Sequence, residues 1–216
     1  MKRPKFTTDN YYHVYNRGVE KRITFLDESD YFRFVHDLFE FNDTAPAPNV
    51  YYRQSYEIGS RKIELERNPR KLLVELLAFC LMPNHFHLLM KPMVDNGVSL
   101  FMKKLGIGYS MYFNQKYERV GALFQGKFKA RLVEKDSHFL HLPYYIHSNP
   151  LDLIMPKWKE RKVEDFKKAM TFLENYKWSS FPDYVGKKNF PSVTQREFLL
   201  NFFDGTEKYK QDMISW

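Results

Sequence analysis

Two histidines separated by one residue, His85 and His87, are the clearest candidates for chemistry in this chain of 216 residues. They follow a turn signal, Pro83-Asn84, and open an apolar run that predicts a β-strand. Because side chains alternate along a strand, both imidazoles point to one face and Phe86 points to the other. Two imidazoles placed in this way can share a divalent cation. The alternative is a pair of strand histidines that are only hydrogen-bonded.

A tyrosine and an asparagine near the end of a predicted helix form the second candidate element. Tyr145 and Asn149 are four residues apart and therefore share one helical face, from which the neighbouring Tyr144 is turned away. A tyrosine hydroxyl is a nucleophile, but its ordinary pKa of about 10 means that it needs activation at neutral pH. A divalent cation that polarises a phosphate supplies that activation, and the amide oxygen of Asn149 can complete its coordination. Each residue alone is more commonly a packing residue or a helix stop. The catalytic interpretation therefore depends on the presence of both the histidine pair and this tyrosine and asparagine.

The charge of the chain suits a polyanionic partner. It carries 34 Lys and Arg against 26 Asp and Glu, a formal charge of +8, and 18% of its residues are aromatic. Residues 101–135 hold eight basic and two acidic side chains interleaved with aromatic rings, which suits a track for a phosphate backbone. A solvated helix face is the alternative interpretation of this stretch.

Cysteine content and hydropathy indicate the compartment. The single cysteine, Cys80, excludes an internal disulfide and a cysteine-based zinc site, and it favours a reducing environment. The longest apolar stretch, 72–82, is too short to cross a membrane, and the basic start of the chain lacks the apolar segment of a signal peptide. We therefore expect a cytoplasmic protein with no membrane partner.

Several further residues are candidates for nucleic-acid contacts. Arg17 can bind a phosphate near the histidines, Gln125 can read a base edge, and Trp178 can stack on an unpaired base. The candidate contacts to a phosphate backbone are Lys103, Lys104, Lys127, Lys129 and Arg131. The alternatives are solvated side chains for the polar residues and packing of the C-terminal tail for Trp178.

The hydrophobic pattern of residues 1–150 predicts the order strand, helix, strand, strand, helix, strand, helix. Strands are expected near 11–16, 74–82, 85–90 and 124–133, and helices near 31–39, 99–117 and 136–148. Without the last helix this is the split βαβ order, so the fold class is α+β, a ferredoxin-like antiparallel sheet with helices on one face. Residues 43–70 are interpreted as an insertion. Residues 151–216 are interpreted as a helical and irregular C-terminal extension packed on the domain, with a helix near 163–175.

Four motifs in this order resemble the single-tyrosine HUH transposases, and most closely their REP-associated tyrosine branch. The motifs are 12–18, 82–87, 123–129 and 145–150, and a further one at 176–181 resembles a segment that often follows in that branch. The likeness spans residues 8–150 apart from the insertion.

The resemblance implies an RRM-like palm in which His85 and His87 bind Mg²⁺ or Mn²⁺, Asn149 is the third ligand and Tyr145 is the nucleophile. It also implies a transposase that cuts single-stranded or hairpin DNA through a 5′-phosphotyrosine link, leaves a free 3′-hydroxyl and rejoins the strand by the reverse reaction. The implied partner is single-stranded or hairpin DNA, with a homodimer possible. Two alternatives stay open, a palm that binds nucleic acid without cutting it and a zinc-dependent hydrolase, which would need a further zinc ligand.

Overall fold

The computed structural model describes residues 4–46, 69–134, 136–160 and 162–215. Within these ranges four antiparallel strands form one sheet: β1 (Tyr12–Arg17), β2 (Val74–Met82), β3 (His85–Pro92) and β4 (Lys129–Leu132). Helix α1 (Glu28–Glu40) connects β1 to β2, and helix α2 (Gly97–Lys116) connects β3 to β4. The strand order β2-β3-β1-β4 is that of a ferredoxin-like sheet, so the predicted fold class is confirmed.

The two faces of the sheet are covered by different parts of the chain. On one face α1 and α2 bury Phe34, Phe101 and Tyr109 against alternate strand residues such as Phe86. The other face is covered by helix α3 (Asp136–Ser148) and by the residues that follow it. Because β2 and β3 are buried on both sides, their sequences are almost continuously apolar rather than alternating.

The C-terminal part of the chain contains short helical segments. They are two 3-10 helices (Asn149–Leu153 and Pro156–Glu160), α4 (Phe166–Asn175), α5 (Phe181–Tyr184), α6 (Glu197–Phe202) and α7 (Thr206–Ser215). This part also pairs with the outer edge of β2, because Leu81 donates its N–H to the carbonyl of Trp178 and Ser180 donates to that of Phe79. The edge strand is thereby covered. None of the helices in the described ranges is both long and apolar enough to cross a membrane.

The last strand of the sheet is shorter than predicted. A strand was expected over 124–133, but β4 begins only at Lys129. Gly126 has φ of +68°, a left-handed conformation that glycine adopts without strain and that interrupts a strand. Residues 121–128 therefore form a loop, which is fixed to β1 by the hydrogen bond from the N–H of Gln125 to the carbonyl of Arg17.

The two ends of the predicted insertion are held together by Asn42, which is 2% exposed. Its Oδ1 accepts from the N–H of Leu73 (3.1 Å) and of Val74 (2.9 Å), and its Nδ2 donates to the carbonyl of Val74 (2.8 Å). The end of α1 is thereby fixed to the start of β2. Of the interval 43–70 that was interpreted as an insertion, residues 47–68 lie outside the described part of the chain.

We expect Asn42→Ala to lower the free energy of unfolding by about 3 kcal/mol, because it leaves two buried N–H groups and one carbonyl without their partner. Urea unfolding followed by circular dichroism measures this loss. The matched control is Asn175→Ala, which removes an exposed side chain that donates to the carbonyl of Thr171 and should cost less than about 1 kcal/mol. Equal losses in the two variants would contradict the role given to Asn42.

Candidate active site

The pairing of β1 with β3 places three side chains of β1 beside the histidine pair. Tyr15 lies opposite His87 and Arg17 lies opposite His85 in the antiparallel register. His13 is two residues before Tyr15 and shares its face of the sheet. This is the face opposite α1 and α2, so the site is bounded by the sheet on one side and by α3 on the other.

Each histidine of the pair uses its Nδ1 atom in a hydrogen bond within the protein. The Nδ1 of His85 is 2.7 Å from the Oδ1 of Asn84, and the Nδ1 of His87 is 2.8 Å from the Nε2 of His13. The rings of His85 and His87 are perpendicular, with centroids 5.0 Å apart. Neither Nε2 atom has a hydrogen-bond partner among the described residues, so neither is committed to a contact within the protein.

The site keeps its imidazoles uncharged. Burial lowers the pKa of His85 to about 4, although the carboxylate of Asp152 partly opposes this. Burial, together with the charge of Arg131, lowers the pKa of His13 to about 4. Burial also holds the pKa of His87 well below its ordinary value. At neutral pH all three rings are therefore neutral, which is the state in which histidine binds a metal.

Tyr145 of α3 contacts the histidines across the site. Its ring meets those of His87 and His13 edge to face, with centroids 5.7 and 6.1 Å apart. Tyr145 also lines a cavity of about 580 Å³ together with these histidines, Tyr15, Arg131 and His141. The nucleophile predicted from the sequence therefore lies beside the predicted metal ligand.

Tyr144 has a different environment, although it is the adjacent residue. Its side chain is buried and stacks on Tyr209, with ring centroids 4.9 Å apart. Burial and the nearby carboxylate of Asp212 raise the pKa of its hydroxyl. Tyr144 is therefore a packing residue on the far side of α3, as its distance from Asn149 in the sequence predicts.

Asn149 supplies an amide oxygen without a protein partner. The residue is fully buried, and its Nδ2 donates to the carbonyl of Tyr145 at 2.7 Å, which is the i to i−4 arrangement at the end of a helix. Its Oδ1 is buried and has no hydrogen-bond partner in the described structure. A buried acceptor of this kind is costly unless a ligand uses it. Two imidazole nitrogens and one unpartnered amide oxygen are donors of the kinds that divalent cations accept.

The proposed donor set depends on the amide of Asn149, because His, Cys, Asp and Glu side chains alone do not form a metal-binding cluster in the described ranges. Within the described ranges no group of three such side chains is arranged to hold a metal ion. The third imidazole of the site, that of His13, already uses its Nε2 to bond His87.

A buried hydrogen-bond network fixes α3 against the sheet. His147, two residues after Tyr145, has its Nδ1 2.7 Å from the hydroxyl of Tyr209 and its Nε2 2.8 Å from the Oγ of Ser180. Ser180 in turn accepts from the N–H of Phe79 in β2 at 2.9 Å. Burial lowers the pKa of His147 to about 3, so the ring stays neutral. The helix that carries Tyr145 is thus connected to both β2 and α7.

Four of the predicted DNA contacts lie around the site. A cavity of about 390 Å³ is lined by Arg17, Gln125, Lys129 and both histidines of the pair. The Nε of Arg17 donates to the Oε1 of Gln125 at 2.8 Å, which orients the two side chains toward each other. Arg131 lines the neighbouring cavity with Tyr145.

The other predicted DNA contacts lie elsewhere. Lys103 and Lys127 line a separate cavity of about 450 Å³ between α2 and the loop 121–128. The prediction for Lys104 needs correction, because its Nζ donates to the carbonyls of Asp43 (2.5 Å) and Ala45 (2.6 Å) and thus holds the chain after α1.

Trp178 is not available for stacking on a base in this structure, which corrects the prediction made for it. The residue is 8% exposed, and its ring stacks on that of Tyr31 with centroids 4.5 Å apart. Phe190 stacks parallel to it at 6.5 Å, and Phe32 meets it edge to face. Trp178 therefore holds the C-terminal part of the chain to α1.

Sequence reasoning missed the contributions of His13, His141 and Asp152 to this site. His13 and His141 lie far from the histidine pair in the sequence and were given no role. The missed signal for His13 is that it shares a strand face with Arg17, which was already a candidate. Asp152 accepts from the Nε1 of Trp158 (2.6 Å) and the Nζ of Lys159 (2.7 Å), and its charge acts on His85.

Comparison with known proteins bears on the family resemblance and on the fold. Residues 57–149, which include the histidine pair, Tyr145 and Asn149, match the family model described as IS200-like transposase. A solved structure of a REP-associated tyrosine transposase bound to a REP hairpin is similar in fold, with a TM-score of 0.52 and 14% sequence identity over 89% of each chain. A search of curated proteins finds no match. The predicted resemblance is confirmed: residues 57–149 are similar to the IS200-like transposase family, and the fold is similar to that of a REP-associated tyrosine transposase.

Proposed function

We propose that this protein is a transposase, a metal-dependent endonuclease and strand transferase that acts on single-stranded or hairpin DNA, with Tyr145 as the nucleophile. The contact of the Tyr145 ring with His87, at 5.7 Å between centroids, is the observation that carries the proposal.

In this proposal His85, His87 and Asn149 hold Mg²⁺ or Mn²⁺. When bound, the cation would supply Lewis-acid polarisation of the scissile phosphate and stabilisation of the oxygen that leaves. The hydroxyl oxygen of Tyr145 forms a bond to phosphorus while the bond from phosphorus to the 3′-oxygen of the preceding nucleotide breaks. The phosphate stays on the tyrosine as a 5′-phosphotyrosine, and the tyrosyl proton is balanced by the one that the free 3′-hydroxyl gains.

Rejoining is the same exchange in reverse, in which a 3′-hydroxyl attacks the phosphotyrosine and releases Tyr145. One phosphoester bond is broken and one is formed in each direction, so no external source of energy is needed. The network around His147 keeps α3, and with it Tyr145, fixed against the sheet through both half-reactions.

The charged side chains around the site support DNA as the partner. Lys129 and Arg131 project from β4 on the same face of the sheet as Tyr15 and His13, with which they pair. Arg17 and Gln125 extend this surface past His85. The similar REP-associated transposase is bound to a REP hairpin, which favours hairpin DNA for this chain too. A homodimer stays a prediction.

The identity of the nucleophile is tested by comparing two adjacent tyrosines. Incubation of the protein with labelled hairpin DNA and Mn²⁺ should give a covalent adduct that survives denaturing electrophoresis. Tyr145→Phe should abolish the adduct, whereas Tyr144→Phe should retain most of it, because only the first change removes a hydroxyl from the site. Chelation of the metal should also abolish it.

An adduct that persists undiminished in Tyr145→Phe would contradict the assignment of the nucleophile. Failure of the unmodified protein to form an adduct with any hairpin that it binds would favour the binding module without cleavage.

The position of the DNA is tested by removing single charges. Lys129→Met and Arg131→Met should each weaken binding to single-stranded DNA. Each should also make the negative slope of log K against log salt shallower by about 0.7, since each removes one phosphate contact. Lys104→Met loses the same charge, but its ammonium is bonded to two backbone carbonyls, so the slope should stay unchanged. Fluorescence anisotropy over a salt series measures these slopes. Equal slopes in all three variants would place the DNA elsewhere.

A further inference from the structure

We propose that Asn84 and His13 are positioning residues that hold a proton on the Nδ1 atoms of His85 and His87, and so leave both Nε2 lone pairs available to one cation. This inference rests on the proposed metal-dependent function and deepens it. It gives a role to His13, to which the sequence pattern assigned none.

The orientation of Asn84 follows from its two hydrogen bonds. Its Nδ2 donates to the carbonyl of Lys21 at 3.2 Å, and its Oδ1 is 2.7 Å from the Nδ1 of His85. Because the carbonyl of Lys21 can only accept, the amide nitrogen must face it and the amide oxygen must face the ring. An amide oxygen also only accepts, so the Nδ1 of His85 carries the proton. In a neutral imidazole the Nε2 then holds a lone pair.

The bond between His13 and His87 allows two arrangements. Their nitrogens, Nε2 of His13 and Nδ1 of His87, are 2.8 Å apart and share one proton. If His87 donates, its Nε2 is free for a cation. If His13 donates, the proton of His87 is on Nε2 and that atom cannot bind a cation. Only the first arrangement gives His87 the same protonation pattern that Asn84 imposes on His85.

Packing holds His13 in the position that this role requires. His13 lies on β1, and Tyr15, two residues later on the same strand, is paired with His87 in the sheet register. The rings of His13 and His87 are nearly parallel, at 26°, with centroids 5.0 Å apart, and the Tyr145 ring is roughly perpendicular to both. Partners that orient metal-binding histidines in this way typically change metal affinity by about 10- to 100-fold when they are removed.

The first test reads the tautomers directly in the metal-free full chain. Long-range ¹H–¹⁵N spectra of protein labelled at histidine distinguish Nδ1–H from Nε2–H rings. We expect both His85 and His87 to be Nδ1–H. A His87 ring that is mainly Nε2–H in the unmodified protein would overturn the proposal for His13, and an Nε2–H ring at His85 would overturn it for Asn84.

The second test measures Mn²⁺ affinity in variants by isothermal titration. His13→Phe keeps a flat ring but removes the acceptor, and it should weaken Mn²⁺ binding by about 10- to 100-fold and let His87 shift toward Nε2–H. His13→Gln offers an amide oxygen as acceptor and should restore most of the affinity. The control His36→Phe alters a half-exposed histidine on α1 and should change neither readout.

Unchanged Mn²⁺ affinity in a folded His13→Phe variant, with His87 still Nδ1–H, would overturn the proposal. Should that variant fail to fold, Asn84→Leu tests the same principle through His85, with the same expected loss of affinity and the same tautomer shift. A protein that binds no Mn²⁺ would refute the proposed metal-dependent function instead, and the tautomers of the metal-free chain would still decide the positioning roles.

Discussion

The antiparallel register between β1 and β3 is the constraint on which the site depends. It sets Tyr15 opposite His87 and Arg17 opposite His85, and it brings His13 within hydrogen-bond distance of His87. Because side chains alternate along a strand, a slip of one residue would turn these β1 side chains to the opposite face, among the residues that pack on α1 and α2. The burial of Tyr12 and Val14 on that face makes such a slip costly, so the hydrophobic core and the candidate site are specified by the same pairing.

The second requirement is that α3 stays packed against the face of the sheet opposite α1 and α2. A helix of thirteen residues is only marginally stable by itself, so its position depends on packing against the rest of the chain. The buried contacts of His147 with Ser180 and Tyr209 meet this need, because they join α3 to β2 and to the last helix of the chain. The residues after 150 are therefore part of what positions Tyr145, even though none of them belongs to the proposed metal site.

Local sequence signals predicted the parts of this structure that depend on local physics. The turn at Pro83-Asn84 and the apolar run after it identified β3, and the one-residue spacing of its two histidines predicted their shared face. The spacing of Tyr145 and Asn149 separated Tyr145 from Tyr144, and the structure agrees with that separation.

The failures concern contacts between residues far apart in the chain. Trp178 stacks on Tyr31 and Lys104 binds carbonyls near Asp43, and neither contact leaves a signal in the surrounding sequence. The role of His13 likewise depends on strand pairing across more than seventy residues. The late start of β4 depends on the left-handed conformation of Gly126, which composition alone does not reveal.

The central proposal is that two imidazoles of β3 and the amide oxygen of Asn149, at the end of α3, bind a single cation beside Tyr145. Anomalous diffraction from crystals of the full chain grown with Mn²⁺ tests it most directly. The account predicts one peak at metal-ligand distance from the Nε2 atoms of His85 and His87 and from the Oδ1 of Asn149. A peak bound through Nδ1 atoms, or a protein whose Mn²⁺ lies away from these three residues, would contradict it.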